Sequence, residues 1–182
     1  MLIDHVIQHA NALLHEDEDL VSLLVAERKR FENWLQLEIF KRLIRENGEL
    51  EIDLEKPYPN LQERCDLWCR EDAKRESWVE LKICVTNYAQ NFTGPSSPRP
   101  ITNQISDIIR DGEKLQRIPG KKANRHIFLL TYPMPFEYAS NSAWTSHLNR
   151  IRASSCEILE AFSLAVERSG RTASLVAYKI AI

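Results

Sequence analysis

The chain has 182 residues, 43% of them hydrophobic and 27% charged, with a formal net charge of −2. This composition is that of an ordinary soluble globular protein, and the length fits one domain, residues 1–182, with a sizeable core. The near-neutral charge does not by itself indicate a nucleic-acid-binding protein. Only five glycines are present, and the absence of Gly-rich phosphate-binding motifs argues against a nucleotide-binding loop.

The first residues lack the basic start and continuous apolar core of a signal peptide. No stretch approaches the roughly 18 apolar residues that a membrane helix needs. We therefore predict a cytoplasmic protein whose four cysteines are reduced thiols. Cys65 and Cys69 share one face of a predicted strand, but no histidine pair follows at zinc-finger spacing. Buried thiols are a better interpretation of this pair than structural zinc.

The N-terminal quarter predicts two helices. Residues 2–14 form a short amphipathic helix, an N-terminal arm over residues 1–15. The acidic run at residues 16–19 suits the first turn of a second helix that ends near Asn47. On a helical wheel, Glu38 falls in the middle of that helix's apolar stripe, where a carboxylate needs a partner or a purpose. The alternative is a simple ion pair with Arg42, one turn further on.

Three strands follow, at residues 49–54, 64–69 and 77–85. Their connections are short, which favours an antiparallel meander. In the third strand, alternation puts Glu80, Lys82 and Cys84 on one face and apolar residues on the other. If the second strand is its neighbour, Asp66 faces the same point as Glu80.

Residues 87–100, rich in Asn, Ser, Pro and Gly, form a long loop that could close over a site or only connect two elements. A helix follows at residues 101–118, and a strand apolar on both faces at residues 126–132. Residues 97–125 carry seven basic and three acidic side chains, whereas residues 1–56 carry seven basic and 13 acidic ones. This asymmetry suits a local surface for an anionic ligand, or simply a solvated face.

The last fifty residues, 133–182, predict a helix at residues 142–154 and a terminal hairpin of residues 158–166 and 172–180. A helix over residues 157–168 is the alternative, because the apolar pattern there fits either period. A free edge on this hairpin would make a homodimer plausible.

The acidic residues predict chemistry as well as structure. Asp66 and Glu80 are hard oxygen donors suited to Mg²⁺ or Mn²⁺. A metal ion there can polarise a phosphate oxygen, and Lys82 could orient or help deprotonate the attacking water. Glu38, which projects from the second predicted helix, would be close enough to hold a metal-bound water.

This arrangement resembles the PD-(D/E)XK nuclease superfamily, the restriction-endonuclease-like fold. The matching motifs are W-L-Q-L-E-I-F with Glu38, R-C-D-L-W with Asp66, and W-V-E-L-K-I with Glu80 and Lys82. Cys65 stands where the family's signature proline would be. The resemblance covers residues 20–132 and leaves the tail from Pro133 unplaced.

The resemblance implies an α/β fold with an αβββαβ core and a central mixed sheet flanked by helices. It also implies a metal-dependent nuclease that acts on a nucleic acid, expected to be DNA. On the family's pattern the helix from Ile101 meets the substrate backbone, and its side chains and the turn after it would contact phosphates: Gln104, Arg110, Lys114, Lys121 and Lys122. The alternative is a non-catalytic binding or regulatory protein on the same fold, or a small interaction protein with an unrelated α/β fold.

Overall fold

The computed structural model describes residues 1–46, 48, 50–59, 62–72, 75–93, 99–120, 123–154 and 156–182. The helices and strands within these ranges, in chain order, are α1 (Leu2–Glu16), α2 (Glu18–Ala26), α3 (Glu32–Glu46), β1 (Glu51–Pro57), β2 (Arg64–Asp72), β3 (Arg75–Val85), α4 (Gln90–Thr93), α5 (Ile101–Gln116), β4 (Asn124–Met134), a 3₁₀ turn (Tyr138–Ser140), α6 (Ser142–Arg152), β5 (Glu157–Arg168) and β6 (Arg171–Ala181).

The strands form one open, mixed six-stranded sheet in the order β1-β2-β3-β4-β6-β5. Strands β1, β2 and β3 make the predicted antiparallel meander. Strand β4 pairs with β3 in parallel, so the chain crosses over between them through α4 and α5. Strands β5 and β6 form the predicted terminal hairpin, and the helical alternative for residues 157–168 is wrong.

Helices cover both faces of the sheet and create two cores. One core packs α1, α2 and α3 against the sheet, and the other packs α5 and α6 against the opposite face. The side chains of β3 alternate between the two, as predicted. The members facing α1–α3 are Val79, Leu81, Ile83 and Val85; those facing α5 and α6 include Trp78 and Cys84. The C-terminal part of β3 is therefore buried on both faces, and this positions Glu80 and Lys82 inside the protein.

The N-terminal region contains a break that the sequence did not predict. The single helix predicted for residues 16–47 is two helices, α2 and α3; Asn47 itself lies outside the described residues. Arg28 adopts a left-handed backbone conformation, with φ of 52°. The backbone N–H of Lys29 donates to the carbonyl of Leu24 (2.9 Å), and that of Arg28 donates to the carbonyl of Val25 (3.2 Å). These two bonds form a Schellman cap that ends α2, and α3 starts afresh at Glu32.

All four cysteines are buried, and none is in a disulfide. Cys65 and Cys69 do not share a face as predicted: Cys65 is buried in the core beneath α5 and Cys69 in the core beneath α1. Leu67 already lies in the same core as Cys69, so the alternation of β2 breaks between Cys65 and Leu67. The two thiols therefore point to opposite sides of the sheet and cannot bind one zinc ion together.

Among the helices of the described residues, none is both long enough and apolar enough to cross a lipid bilayer.

Candidate active site at the edge of β3

The C-terminal half of β3 has an edge that β2 does not cover. The ladder between β2 and β3 runs from Asp72–Arg75 to Leu67–Val79. Beyond it, three successive outward N–H groups of β3 donate to side chains instead of to a strand: Leu81 to Asp66 Oδ2 (2.7 Å), Ile83 to Glu32 Oε2 (3.1 Å) and Val85 to Gln104 Oε1 (3.0 Å). Residues from β2, α3 and α5 are thereby fixed along one strand edge.

Gln104 is the most completely engaged of these three side chains, and it is only 3% exposed. Its Oε1 accepts from Val85 N and from Arg30 Nη2 (2.8 Å), and its Nε2 donates to Val85 O (2.9 Å). The sequence predicted that Gln104 contacts substrate. The structure instead uses its amide as a substitute for a neighbouring strand, which leaves it no spare polar atom for a phosphate.

Replacing Gln104 with leucine should lower the free energy of unfolding by about 2 to 3 kcal/mol, because the N–H and C=O of Val85 would lose their buried partners. Urea denaturation measures this change. Gln116→Leu is the matched control, since Gln116 is exposed and its side-chain amide donates to the carbonyl of Ser154 at the surface. Equal stabilities of the two variants would contradict the structural role of Gln104.

Lys82 lies at the centre of the site, surrounded by four carboxylates. Its Nζ is 3.2 Å from Glu80 Oε2, 3.4 Å from Asp111 Oδ2, 3.8 Å from Asp66 Oδ2 and 3.9 Å from Glu32 Oε1. The side chains of Glu80 and Asp111 are 5% and 7% exposed. The predicted trio of Asp66, Glu80 and Lys82 is therefore brought together.

The carboxylates decide the protonation state of Lys82. Burial alone lowers the pKa of its ammonium, but the charges of Glu80, Asp66, Asp111 and Glu32 outweigh burial and raise the pKa above its usual value. Lys82 therefore stays positively charged at neutral pH. As an ammonium it can donate hydrogen bonds and stabilise negative charge. In the metal-free protein it has no lone pair with which to take a proton from an attacking water, the other role that the sequence suggested for it.

Glu80 and Asp66 are coupled acids. Burial, and secondly the negative charge of Asp66, raise the pKa of Glu80 to about 8. Burial also raises the pKa of Asp66, and Lys82 opposes that rise. The hydroxyl of Tyr58 donates to Glu80 Oε1. Without a metal ion, the site thus retains a proton on Glu80 at neutral pH, because one ammonium does not neutralise so many buried carboxylates.

The carboxylate that α3 contributes to the site is that of Glu32. The prediction that Glu38 supplies it is wrong. Glu38 binds Lys41 through both carboxylate oxygens (3.0 Å each), and its side chain is 31% exposed. It lies about 9 Å further along α3 than Glu32 and about 120° around the helix. The alternative pairing of Glu38 with Arg42 is also wrong, because Arg42 binds Glu16.

Basic side chains line a cleft of about 260 Å³ beside Lys82. They are Arg30, Arg99, Arg110 and Lys114. Arg110 is 63% exposed and pairs with Asp107 (3.1 Å), whereas Lys114 pairs with Asp111 (2.8 Å) and Glu63. The other two predicted phosphate-binding residues, Lys121 and Lys122, lie outside the described residues.

Sequence reasoning missed three members of the site: Glu32, Tyr58 and Asp111. Asp111 had a readable signal, because it follows Gln104 by seven residues, so both occupy the buried face of α5. Glu32 was hidden by the unrecognised helix break. Nothing in the sequence around Tyr58 indicated that its hydroxyl would reach Glu80.

No protein-family model, curated protein or solved structure matches this chain. Fold and geometry alone thus define it as an α/β protein with a mixed six-stranded sheet and a buried acid–lysine cluster at an uncovered strand edge.

Proposed function

We propose that this protein is a Mg²⁺- or Mn²⁺-dependent nuclease that hydrolyses phosphodiester bonds of DNA, on a restriction-endonuclease-like fold. The observation that carries the proposal is the convergence of Asp66, Glu80 and Lys82 beside an open cleft whose lining includes four further basic side chains among acidic ones. Apart from the four-residue helix α4 before α5, the element order α3-β1-β2-β3-α5-β4 is also that of the αβββαβ core that the sequence resemblance implies.

The donor set fits a hard divalent cation. Asp66 and Glu80 supply carboxylate oxygens, which Mg²⁺ and Mn²⁺ prefer. Four carboxylates surround the single ammonium of Lys82. In the metal-free protein, a proton on Glu80 offsets part of this excess of negative charge. A bound divalent cation would polarise a phosphate oxygen and stabilise the charge of the transition state.

The remaining residues have roles that follow from their positions. Lys82, held as an ammonium, can donate to a non-bridging phosphate oxygen or orient a water. Glu32 is the most exposed of the four carboxylates around Lys82, and burial raises its pKa above the usual value. A carboxylate of raised pKa is a better proton acceptor, so Glu32 takes the part of general base. The buried hydroxyl of Tyr58 donates to one oxygen of Glu80 and so holds that carboxylate in position.

Phosphate binding falls to the basic side chains of the cleft. Arg110 and Arg99 both pair with Asp107, and Lys114 pairs with Asp111. A DNA backbone would exchange these internal pairs for phosphates, so binding should weaken as salt concentration rises. Such contacts position a strand without reading its sequence.

The proposal is tested by incubating supercoiled, linear and single-stranded DNA with the purified protein and Mg²⁺ or Mn²⁺. We expect cleavage that a chelator abolishes and that Asp66→Asn slows by a factor on the order of 10² to 10³. Asparagine can still accept from Leu81 N, so the strand edge stays capped. Glu38→Gln should cleave like the wild type. Uncleaved DNA in all three forms with both metals, or full activity of Asp66→Asn, would contradict the proposal.

The alternative is a non-catalytic binding or regulatory protein on the same fold. One observation favours it: the Lys82 ammonium is already surrounded by four carboxylates within 4 Å. Calorimetric titration with Mn²⁺ separates the two functions. The nuclease proposal requires Mn²⁺ binding that Asp66→Asn weakens, whereas binding that is equal in the two forms, or absent from both, favours the alternative.

A further inference from the structure

A second cluster of ligand-type side chains lies between α1 and the end of α3. His5 and His9 are one turn apart on α1, and Glu46 is the last residue of α3. One ligand atom from each lies within 4.8 Å of the others. Two imidazoles at i and i+4 on one helix face and a carboxylate from a second helix can share one ion.

His9 is the fixed member of this group. Its side chain is 4% exposed, and its Nε2 lies 3.1 Å from Glu46 Oε2. That contact has the distance of an ion pair but not the alignment of a hydrogen bond, so Nε2 is a buried polar atom without a well-directed partner. A nitrogen lone pair directed at a cation shared with the carboxylate would account for this arrangement.

The protonation state of His9 suits a metal ligand. Burial is the main influence and lowers its pKa; the charges of Arg42 and His5 act in the same direction, and Glu46 opposes them. A lowered pKa favours the neutral imidazole, which is the form that coordinates metals. Arg42 is itself paired with Glu16, which reduces its repulsion of a nearby cation.

We propose that His5, His9 and Glu46 bind a Zn²⁺ ion that links the N-terminal helix α1 to the C-terminal end of α3. Two nitrogens and one oxygen are typical zinc donors, and water can take the fourth tetrahedral position. Tetrahedral bonds of 2.0–2.1 Å separate ligand atoms by about 3.3 Å, so the group must contract slightly. The exposed side chain of Glu46 and the partly buried His5 can supply that movement.

This ion would be separate from the proposed nuclease site, and the inference does not depend on that function. Glu32 and Glu46 occupy opposite ends of α3, about 21 Å apart along the helix axis. The ligand chemistry differs as well, since imidazole nitrogen favours Zn²⁺ over Mg²⁺. Zinc at one end of α3 would fix the helix whose other end carries Glu32.

The test is a Zn²⁺ titration of full-length protein without a histidine tag, in excess Mg²⁺ so that the acid cluster is occupied. Calorimetry should show one Zn²⁺ per chain, and Co²⁺ should give the visible absorption bands of a tetrahedral site. We expect at least about a tenfold loss of Zn²⁺ affinity in each of His5→Gln, His9→Gln and Glu46→Gln. Even the replacement of residues that only hydrogen-bond to metal ligands lowers metal affinity by about 10- to 100-fold.

His15→Gln is the matched control, because His15 lies on the same helix but is exposed and pairs with Glu18. It should bind Zn²⁺ like the wild type, and so should Asp66→Asn. Should His9→Gln fail to fold, the more exposed His5→Gln and Glu46→Gln variants still decide the question. Wild-type protein that takes up no Zn²⁺, or uptake that survives loss of both His5 and Glu46, would overturn the proposal.

Discussion

Replacing Lys82 with methionine should lower the free energy of unfolding of the metal-free protein by about 3 to 5 kcal/mol at neutral pH. Removing the ammonium leaves Glu80, Asp111, Asp66 and Glu32 facing one another with their common partner gone. Uncompensated buried charge is costly, and methionine fills the volume without replacing the charge. Urea denaturation in the presence of a chelator measures the loss.

The control is Lys41→Met, which removes another lysine that binds a glutamate. Its partner is Glu38, and the lysine side chain is 51% exposed. Surface ion pairs of this kind contribute at most about 1 kcal/mol, so this variant should be nearly as stable as the wild type. Lowering the pH should narrow the gap between Lys82→Met and the wild type, because the orphaned carboxylates then protonate. A Lys82→Met protein as stable as Lys41→Met would show that the cluster is not electrostatically held by Lys82.

Strand β3 was predictable because its side chains follow simple alternation. In β3, the period of two assigned Glu80 and Lys82 to one face and Leu81 and Ile83 to the other, and the structure has them so. Short connections then made the meander the economical arrangement. Strand alternation is a local property, and it needs no knowledge of distant partners.

Glu32 could not be predicted in the same way. The face of the helix on which it lies depends on where the helix begins, and the helical wheel was drawn from a start that was too early. The wheel that placed Glu38 on a buried stripe assumed one unbroken helix from α2 through α3. A cap of this kind usually has glycine in the left-handed position, whereas Arg28 occupies it here. Once the helix restarts at Glu32, the buried face of α3 is set by Leu35, Ile39 and Leu43.

The uncovered edge of β3 was also invisible in the sequence. Its existence depends on where the ladder with β2 stops, which is a property of pairing and not of composition. Polar residues that cap such an edge look like ordinary surface residues in the sequence, and the family resemblance assigned Gln104 to substrate binding. The capping groups and the predicted catalytic groups occupy the same place, because Asp66 belongs to both sets.

This overlap links the stability of the site to its proposed chemistry. Asp66 and Glu32 each use one oxygen to hold the β3 backbone, and each also lies within 4 Å of the Lys82 ammonium. The backbone bonds limit the movement of these carboxylates. In the proposed nuclease, these carboxylates would therefore meet a cation without rearranging, because the backbone bonds hold them in place whether or not a cation is bound.

In the metal-free protein, the stability of the wild type relative to the Glu80→Gln variant should fall as the pH rises from about 4.5 to about 8. The pKa of Glu80 is raised from 4.5 to about 8 by burial and by Asp66. The folded state therefore keeps a proton in this range that the unfolded state has released, so raising the pH destabilises the fold. Glutamine cannot ionise and does not suffer this loss. Between pH 4 and pH 8.5, the free energy of unfolding of Glu80→Gln should therefore rise by up to about 4 kcal/mol relative to that of the wild type.

Urea denaturation of both proteins across this pH range, with a chelator present, measures the effect as a difference in which titrating groups that do not interact with Glu80 cancel. Glu38→Gln is the control for the loss of a carboxylate, because Glu38 pairs with Lys41 and lies outside the Lys82 cluster. Excess Mn²⁺ at pH 8.5 should stabilise the wild type more than Glu80→Gln, because the ionised carboxylate then has a cation to bind. Parallel pH profiles for the wild type and Glu80→Gln would contradict the raised pKa, and with it the deficit of positive charge at the site.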